Sequence, residues 1–236
     1  MIRHFGALIP STNTTVEIEY NRLLPPTLQV HVGRLGKGTG TPFAPSKDED
    51  VDYQSKLLGN AKVETLCLTQ TSASLYSDDY DETVKRRMTA GTGVPSVTSA
   101  EAIGGACRAL GASRIAIVTP YSEDVINRAK NYYETRFGLE VIAKEAFGAT
   151  DAYAIGRLGA DRASDAFARV DGPTVQALVM PGGAFQTMKH VAQWEERFGK
   201  PVISTNQAAL WAMLGVMKVK DKLPGLGRLL AELPAG

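Results

Sequence analysis

Residues 113–127, SRIAIVTPYSEDVIN, repeat the order of residue types at 3–17, RHFGALIPSTNTTVE: a basic residue, an apolar run, a proline, a hydroxyl-bearing turn and an acidic helix start. A short apolar run that yields at once to turn and helix signals reads as a buried parallel strand feeding a crossover helix. Two copies of such an opening predict two similar α/β halves, the second beginning near 113.

Working outward, β runs and helical runs alternate along the chain. Strands are predicted near 2–9, 28–34, 63–69, 114–119, 139–146, 175–180 and 201–204. Helices are predicted over 14–23, 48–60, 77–90, 99–110, 122–136, 151–170 with a break, 186–198 and 206–216. Ser99 and Ser122 stand before acidic first turns, and Gly111 and Gly138 mark helix ends. Residues 1–112 with a returning 206–236 are expected to form the first domain, and 113–205 the second. The loop GKGTGTPFAPSK at 36–47 is rich in glycine and proline and reads either as a lid or as a plain surface connection.

Composition narrows the function. A net charge of +1 and the lack of a basic stripe interleaved with aromatics argue against a nucleic-acid partner. No apolar stretch approaches the length of a membrane span, so no membrane association is expected. Cys67 and Cys107 fall in an apolar strand and a helix, as buried thiols of a reducing compartment do, which predicts a cytoplasmic protein. No metal-ligand spacing is present, and no metal or cofactor is expected.

Five apolar runs stop at small polar clusters: GALIP at STNTT, TLCL at TQTS, IAIVTP at YS, ALVMP at GG and PVIS at TN. Side chains at the carboxyl ends of parallel strands converge on the ligand crevice, so these clusters are expected to share one site. Asn13, Thr14, Thr71, Ser72, Tyr121, Ser204, Thr205 and Asn206 are neutral donors suited to a small anion, and no cysteine, histidine or acid lies among them. Asn13, Thr14, Ser122, Thr205 and Asn206 also fit as helix caps, and Gly182 and Gly183 as a turn.

PSTNTTVEIE, TSASLY, VTPYSEDV, the Gly182–Gly183 turn and PVISTNQAALW, in this order, resemble the aspartate/glutamate racemase superfamily, and within it the branch of maleate cis-trans isomerases and arylmalonate decarboxylases. The resemblance implies an α/β fold of two pseudo-symmetric Rossmann-like domains with parallel sheets, the active site in the interdomain cleft, cofactor-independent chemistry and a homo-oligomer. It implies that Thr71, Ser72 and Tyr121 hold a carboxylate that becomes an enediolate, and that Asn13 touches a substrate carboxylate. Gln70 and Pro181 occupy the places where the branch carries catalytic cysteines. The expected catalytic set is Tyr121, Gln70, Thr71 and Ser72; Asn13, Thr14, Ser122, Gly182, Gly183, Thr205 and Asn206 are expected to bind substrate.

These observations predict an enzyme acting on a small carboxylate or dicarboxylate, of decarboxylase, lyase or isomerase type, without cysteine catalysis. Proton sources open to it are Tyr121, water, Glu17 or Asp124, with His31 and His190 further afield. Two alternatives stand beside it: a carboxylate-binding protein without turnover, and a hydrolase in which Gln70 positions water.

Overall fold

The repeat recurs in three dimensions. A computed structural model, which describes residues 1–38 and 43–232, places β1 (Arg3–Pro10) and β5 (Arg114–Thr119) at equivalent positions of two sheets. The first sheet runs β2 (Leu28–Leu35), β1, β3 (Leu66–Leu68) and β4 (Ser96–Thr98). The second repeats that order as β6 (Glu140–Ala146), β5, β7 (Ala177–Met180) and β8 (Val202–Ser204). Every described pairing is parallel. The fold is α/β with two pseudo-symmetric parallel sheets.

Helices cover both faces of each sheet because the central strands are apolar on both. Phe5, Ala7 and Ile9 of β1 pack with Val16 and Tyr20 of α1 (Val16–Leu23) and with Leu210 and Met213 of α9 (Thr205–Val216). Leu8, on the opposite face by the two-residue period, packs with Val51 and Leu58 of α2 (Asp48–Asn60) and Val84 and Met88 of α3 (Tyr80–Thr92). Ile115 to Val118 of β5 are wholly buried in the second core, with residues of α4 (Ser99–Ala109), α5 (Glu123–Phe137), α7 (Ala160–Val170) and α8 (Val191–Phe198) around them. The short α6 (Ala152–Ile155) lies between β6 and α7, and α10 (Arg228–Ala231) near the end of the described chain.

Three elements differ from the sequence expectation. β4 was not predicted: it is three residues long and only partly buried, so it carries no alternation to read. β3 shortens to Leu66–Leu68, and the polar residues after it wind into a 3-10 turn, Thr71–Leu75. The cap of α4 is Thr98, whose Oγ1 accepts from Glu101 N at 3.4 Å, so Ser99 lies inside the helix. Among the described residues no helix is long and apolar enough to cross a membrane.

Candidate active site

The carboxyl ends of both sheets open on one cavity of about 120 Å³. The first half contributes Pro10 to Asn13 after β1, Leu35, Lys37 and Gly38 after β2, the segment Phe43–Ser46, and Thr69, Gln70 and Ser72 after β3. The second half contributes Tyr121 after β5, Thr150, Asp151, Tyr153 and Ile155 around α6, and Gly183 and Ala184 after β7. The strand ends touch: a Cβ added to Gly183 would stand 3.2 Å from Thr69 O. A crevice at strand carboxyl ends is where open parallel sheets bind ligands.

Of the loop read at 36–47, residues 39–42 lie outside the described residues; the part that follows forms a strap across the cavity. Gln70 fastens it. Its Nε2 donates to Ala44 O at 2.9 Å, and its Oε1 accepts from Ser46 N at 3.2 Å and Ser46 Oγ at 2.9 Å. Ser72 Oγ donates to Phe43 O at 2.8 Å. Two residues expected to grip substrate thus spend their side chains on the strap. Phe43 has a φ of +69°, an arrangement that costs a non-glycine residue about 1–2 kcal/mol. Its stacking against Tyr121 and the Ser72 bond offset that cost.

Thr71 and Thr205 do not line the cavity. They join a seam of hydroxyls between the halves: Thr71 Oγ1 pairs with Ser99 Oγ at 2.8 Å and donates to Thr205 Oγ1 at 3.4 Å, which accepts from Gly182 N at 2.8 Å. Gly182, at φ +145°, takes a conformation suited to glycine, and a Cβ there would meet the Pro120 ring at 2.8 Å. Asn206 is buried away from the cavity. Its Nδ2 donates to Glu19 Oε2 at 2.7 Å and Gly183 O at 3.1 Å.

Asn13 lines the cavity, and its Oδ1 accepts from Thr15 N at 2.9 Å and Val16 N at 3.0 Å just before and at the start of α1. Its Nδ2 has no partner among the described residues. Thr14 is exposed and outside the cavity. Ser122 takes the N-cap position of α5 without a side-chain cap bond, also outside it.

Backbone donors stand beside the polar side chains of the cavity. Ser72, Gly183 and Ala184 line it, and their N–H groups donate to no described residue. Donors held in place in this way stabilise a negative charge without reorganising. Tyr121 is buried, and burial pushes its phenol well above the usual range, with a Ser72 hydrogen bond pulling the other way. It therefore stays protonated at neutral pH.

The acids and histidines weighed from sequence stand elsewhere. Glu17 pairs with Arg34 at 2.7 Å and Asp124 with Arg128 at 2.9 Å. His31 Nε2 meets His4 Nδ1 at 2.9 Å, and His190 stacks on Trp194; burial lowers both histidines. None of the four lines the cavity. The titratable side chains that do are Lys37, Tyr121, Asp151 and Tyr153. Three of these were missed. Lys37 carried a signal, since it lies in the predicted loop, whereas Asp151 and Tyr153 come from a helix start rather than a strand end.

Both thiols are outside the cavity. Cys67 is wholly buried with Phe5, Ala7 and Tyr20, and burial pushes it far up. Cys107, equally buried in α4, is pushed up to about 12. A thiol kept neutral is a poor nucleophile. Among the described residues no group of three or more histidine, cysteine, aspartate or glutamate side chains is placed to hold a metal ion.

Two matched parallel sheets that share a cavity at their strand ends define an α/β protein of two similar halves. The chain belongs to the arylmalonate decarboxylase (Amdase) family, whose model matches residues 41–230. It is 29% identical over 243 residues to a maleate isomerase of Pseudomonas putida, covering 96% of each chain. It is 27% identical over 244 residues to the arylmalonate decarboxylase of Bordetella bronchiseptica, again covering 96% of each. A maleate cis-trans isomerase of Nocardia farcinica, a cysteine-to-serine mutant solved with a covalently bound succinylcysteine intermediate, has the same fold at a TM-score of 0.85 and 25% identity, with 99% and 100% of the two chains covered.

Proposed function

We propose that this protein is a cofactor-independent enzyme acting on a small carboxylate or dicarboxylate, of the decarboxylase or isomerase type, that stabilises an enediolate without sulfur. The observation that carries the proposal is the composition of the cavity: neutral donors, the Lys37 ammonium and three free N–H groups at the strand ends of both halves, with both thiols buried outside. Relatives named as a maleate isomerase and an arylmalonate decarboxylase support the substrate class. The resemblance places the branch's cysteines where Gln70 and Pro181 stand, which supports sulfur-free chemistry.

In the decarboxylase form, a malonate-type substrate seats one carboxylate against Ser72 N, Gly183 N and the Tyr121 hydroxyl. The other carboxylate faces the apolar wall of Leu35, Ala44 and Ile155. The bond from the α carbon to that carboxylate breaks and leaves as CO₂, its electron pair forming the enediolate that the donors hold. A proton from solvent then returns to the α carbon. The same reading groups 1–112 with 206–236 as one domain, supported by α9 packing on α4 and β4.

The test is turnover of maleate, malonates, aspartate and hydantoin-type compounds by the wild type and by a Cys67→Ala/Cys107→Ala variant. The proposal expects both proteins to turn over the same carboxylate. A folded double variant without activity contradicts it. Tight binding with no turnover by the wild type favours the second reading, a carboxylate-binding protein, which is supported by Asp151, the one acid among the described residues lining the cavity, accepting with Oδ1 from Ala154 N as the cap of α6.

A further inference from the structure

Glu19 lies in α1 of the first half, buried to 5% exposure, and touches no cavity. Its carboxylate faces three donors from beyond that half's sheet. Oε1 accepts from Thr187 N at 2.7 Å and Met188 N at 2.9 Å, and Oε2 accepts from Asn206 Nδ2 at 2.7 Å. One helical turn earlier, on the same face of the chain, Thr15 Oγ1 donates to Ala184 O at 2.6 Å. The neighbouring Tyr20 hydroxyl donates to Asn206 O at 2.9 Å. The start of α1 therefore grips the segment after β7 at both of its ends, and the amide of Asn206 lies between.

The orientation of that amide is informative. Asn206 Nδ2 is shared between Glu19 Oε2 and Gly183 O, while Asn206 Oδ1 is buried with no partner among the described residues. With Glu19 ionised both of its neighbours are acceptors, so the nitrogen faces them and the oxygen goes unpaired. An unsatisfied buried acceptor is costly, and it is retained here beside Gly183, which lines the cavity and whose N–H has no partner among the described residues.

From this geometry we propose that Glu19 is a positioning residue: through Asn206 and the Thr187–Met188 backbone it fixes the Gly183 and Ala184 N–H groups for their anion. The proposal rests on the reading that the cavity takes a carboxylate. It makes Glu19→Gln a discriminating change of nearly equal volume. A glutamine that keeps its oxygen on Thr187 and Met188 turns an NH₂ toward Asn206, whose amide must then rotate and set Oδ1 against Gly183 O.

The experiment has two arms on the full chain. Amide hydrogen exchange without ligand reads the clamp itself, and calorimetric titration with malonate reads the site. Glu19→Gln is expected to keep its far-UV circular dichroism, to exchange faster across 183–188 than the wild type, and to bind malonate about 100-fold more weakly, the scale of a misplaced donor. Thr15→Val, which removes the other grip of α1, is expected to change both readouts in the same direction and serves if Glu19→Gln does not fold. Unchanged exchange across 183–188 in a folded variant overturns the proposal. Faster exchange with unaltered malonate affinity also overturns it, because the clamp would then be structural only. Failure of the wild type to bind malonate counts against the carboxylate reading, and the exchange arm still decides the clamp.

Discussion

Phe43 lies against Tyr121 with ring centroids 4.9 Å apart and planes at 56°. A strap residue therefore covers the one buried phenol of the cavity. If substrate reaches Tyr121 as proposed, Phe43 stands in its way.

The strap is held by a neutral amide. Gln70→Glu keeps an acceptor for Ser46 but cannot donate to Ala44 O, and so sets a carboxylate against a carbonyl. An unmade buried hydrogen bond costs about 1–3 kcal/mol. The variant is expected to show faster amide exchange at 43–46 and a KM raised roughly tenfold, with a smaller change in kcat. An unchanged KM would remove Gln70 from control of the strap.

Tyr121→Phe removes a donor and keeps the ring that packs on Phe43. Loss of one oxyanion donor costs about 2.7–4 kcal/mol, or roughly 100- to 1,000-fold in kcat. Thr71→Val should act differently. Its hydroxyl belongs to the seam with Ser99 and Thr205, so its loss is expected mainly as about 1–3 kcal/mol of stability, read by urea unfolding.

Cys67→Ala and Cys107→Ala are expected to cost about 1 kcal/mol each through small buried voids, with kcat unchanged. In the wild type, both thiols are expected to resist alkylation until denaturant is added. Rapid labelling of either native thiol would contradict its placement in the core.

Gly183→Ala puts a methyl 3.0 Å from Asn206 Oδ1, 3.2 Å from Thr205 Cγ2 and 3.2 Å from Thr69 O. Two of those neighbours are locked in hydrogen bonds, so the turn itself has to move. The expected outcome is a folded protein with malonate affinity lowered at least tenfold, measured by calorimetry.

Burial raises the Glu19 carboxyl from 4.5 to about 7, against the pull of Asn206, the Met188 and Thr187 N–H groups and Lys189. The folded state thus binds this proton more tightly than the unfolded chain. Its contribution to stability is full below about 4.5 and is lost as pH rises to about 7, on the order of 3 kcal/mol in all. Urea unfolding should show the stability of the wild type relative to Glu19→Gln declining across that window. A constant difference would mean that Glu19 titrates in the ordinary carboxylate range.

The fold was legible because β1 and β5 are apolar on both faces and are followed at once by proline and polar turn residues, a pattern repeated with the same order of types. β4 was not, because three residues at a sheet edge, two of them half-buried, carry no periodicity. At the site, strand-end reasoning located Asn13, Ser72, Tyr121 and Gly183, all of which line the cavity. It could not foresee that Gln70 and Ser72 would turn to the strap, since that pairing joins residues more than 20 positions apart. Nor could it distinguish Thr71, whose hydroxyl faces Ser99, from Ser72 one residue on. The direction of a side chain in a 3-10 turn follows from packing rather than from residue type.

The central claim is that neutral donors from both halves hold a small carboxylate while sulfur stays out of reach. A crystal structure of the wild type with bound malonate tests it most directly. The account predicts a carboxylate oxygen about 2.7–3.1 Å from Ser72 N, Gly183 N and the Tyr121 hydroxyl, with Cys67 and Cys107 still enclosed in their cores. Malonate seated against either thiol, or outside the cavity beneath the strap, would contradict it.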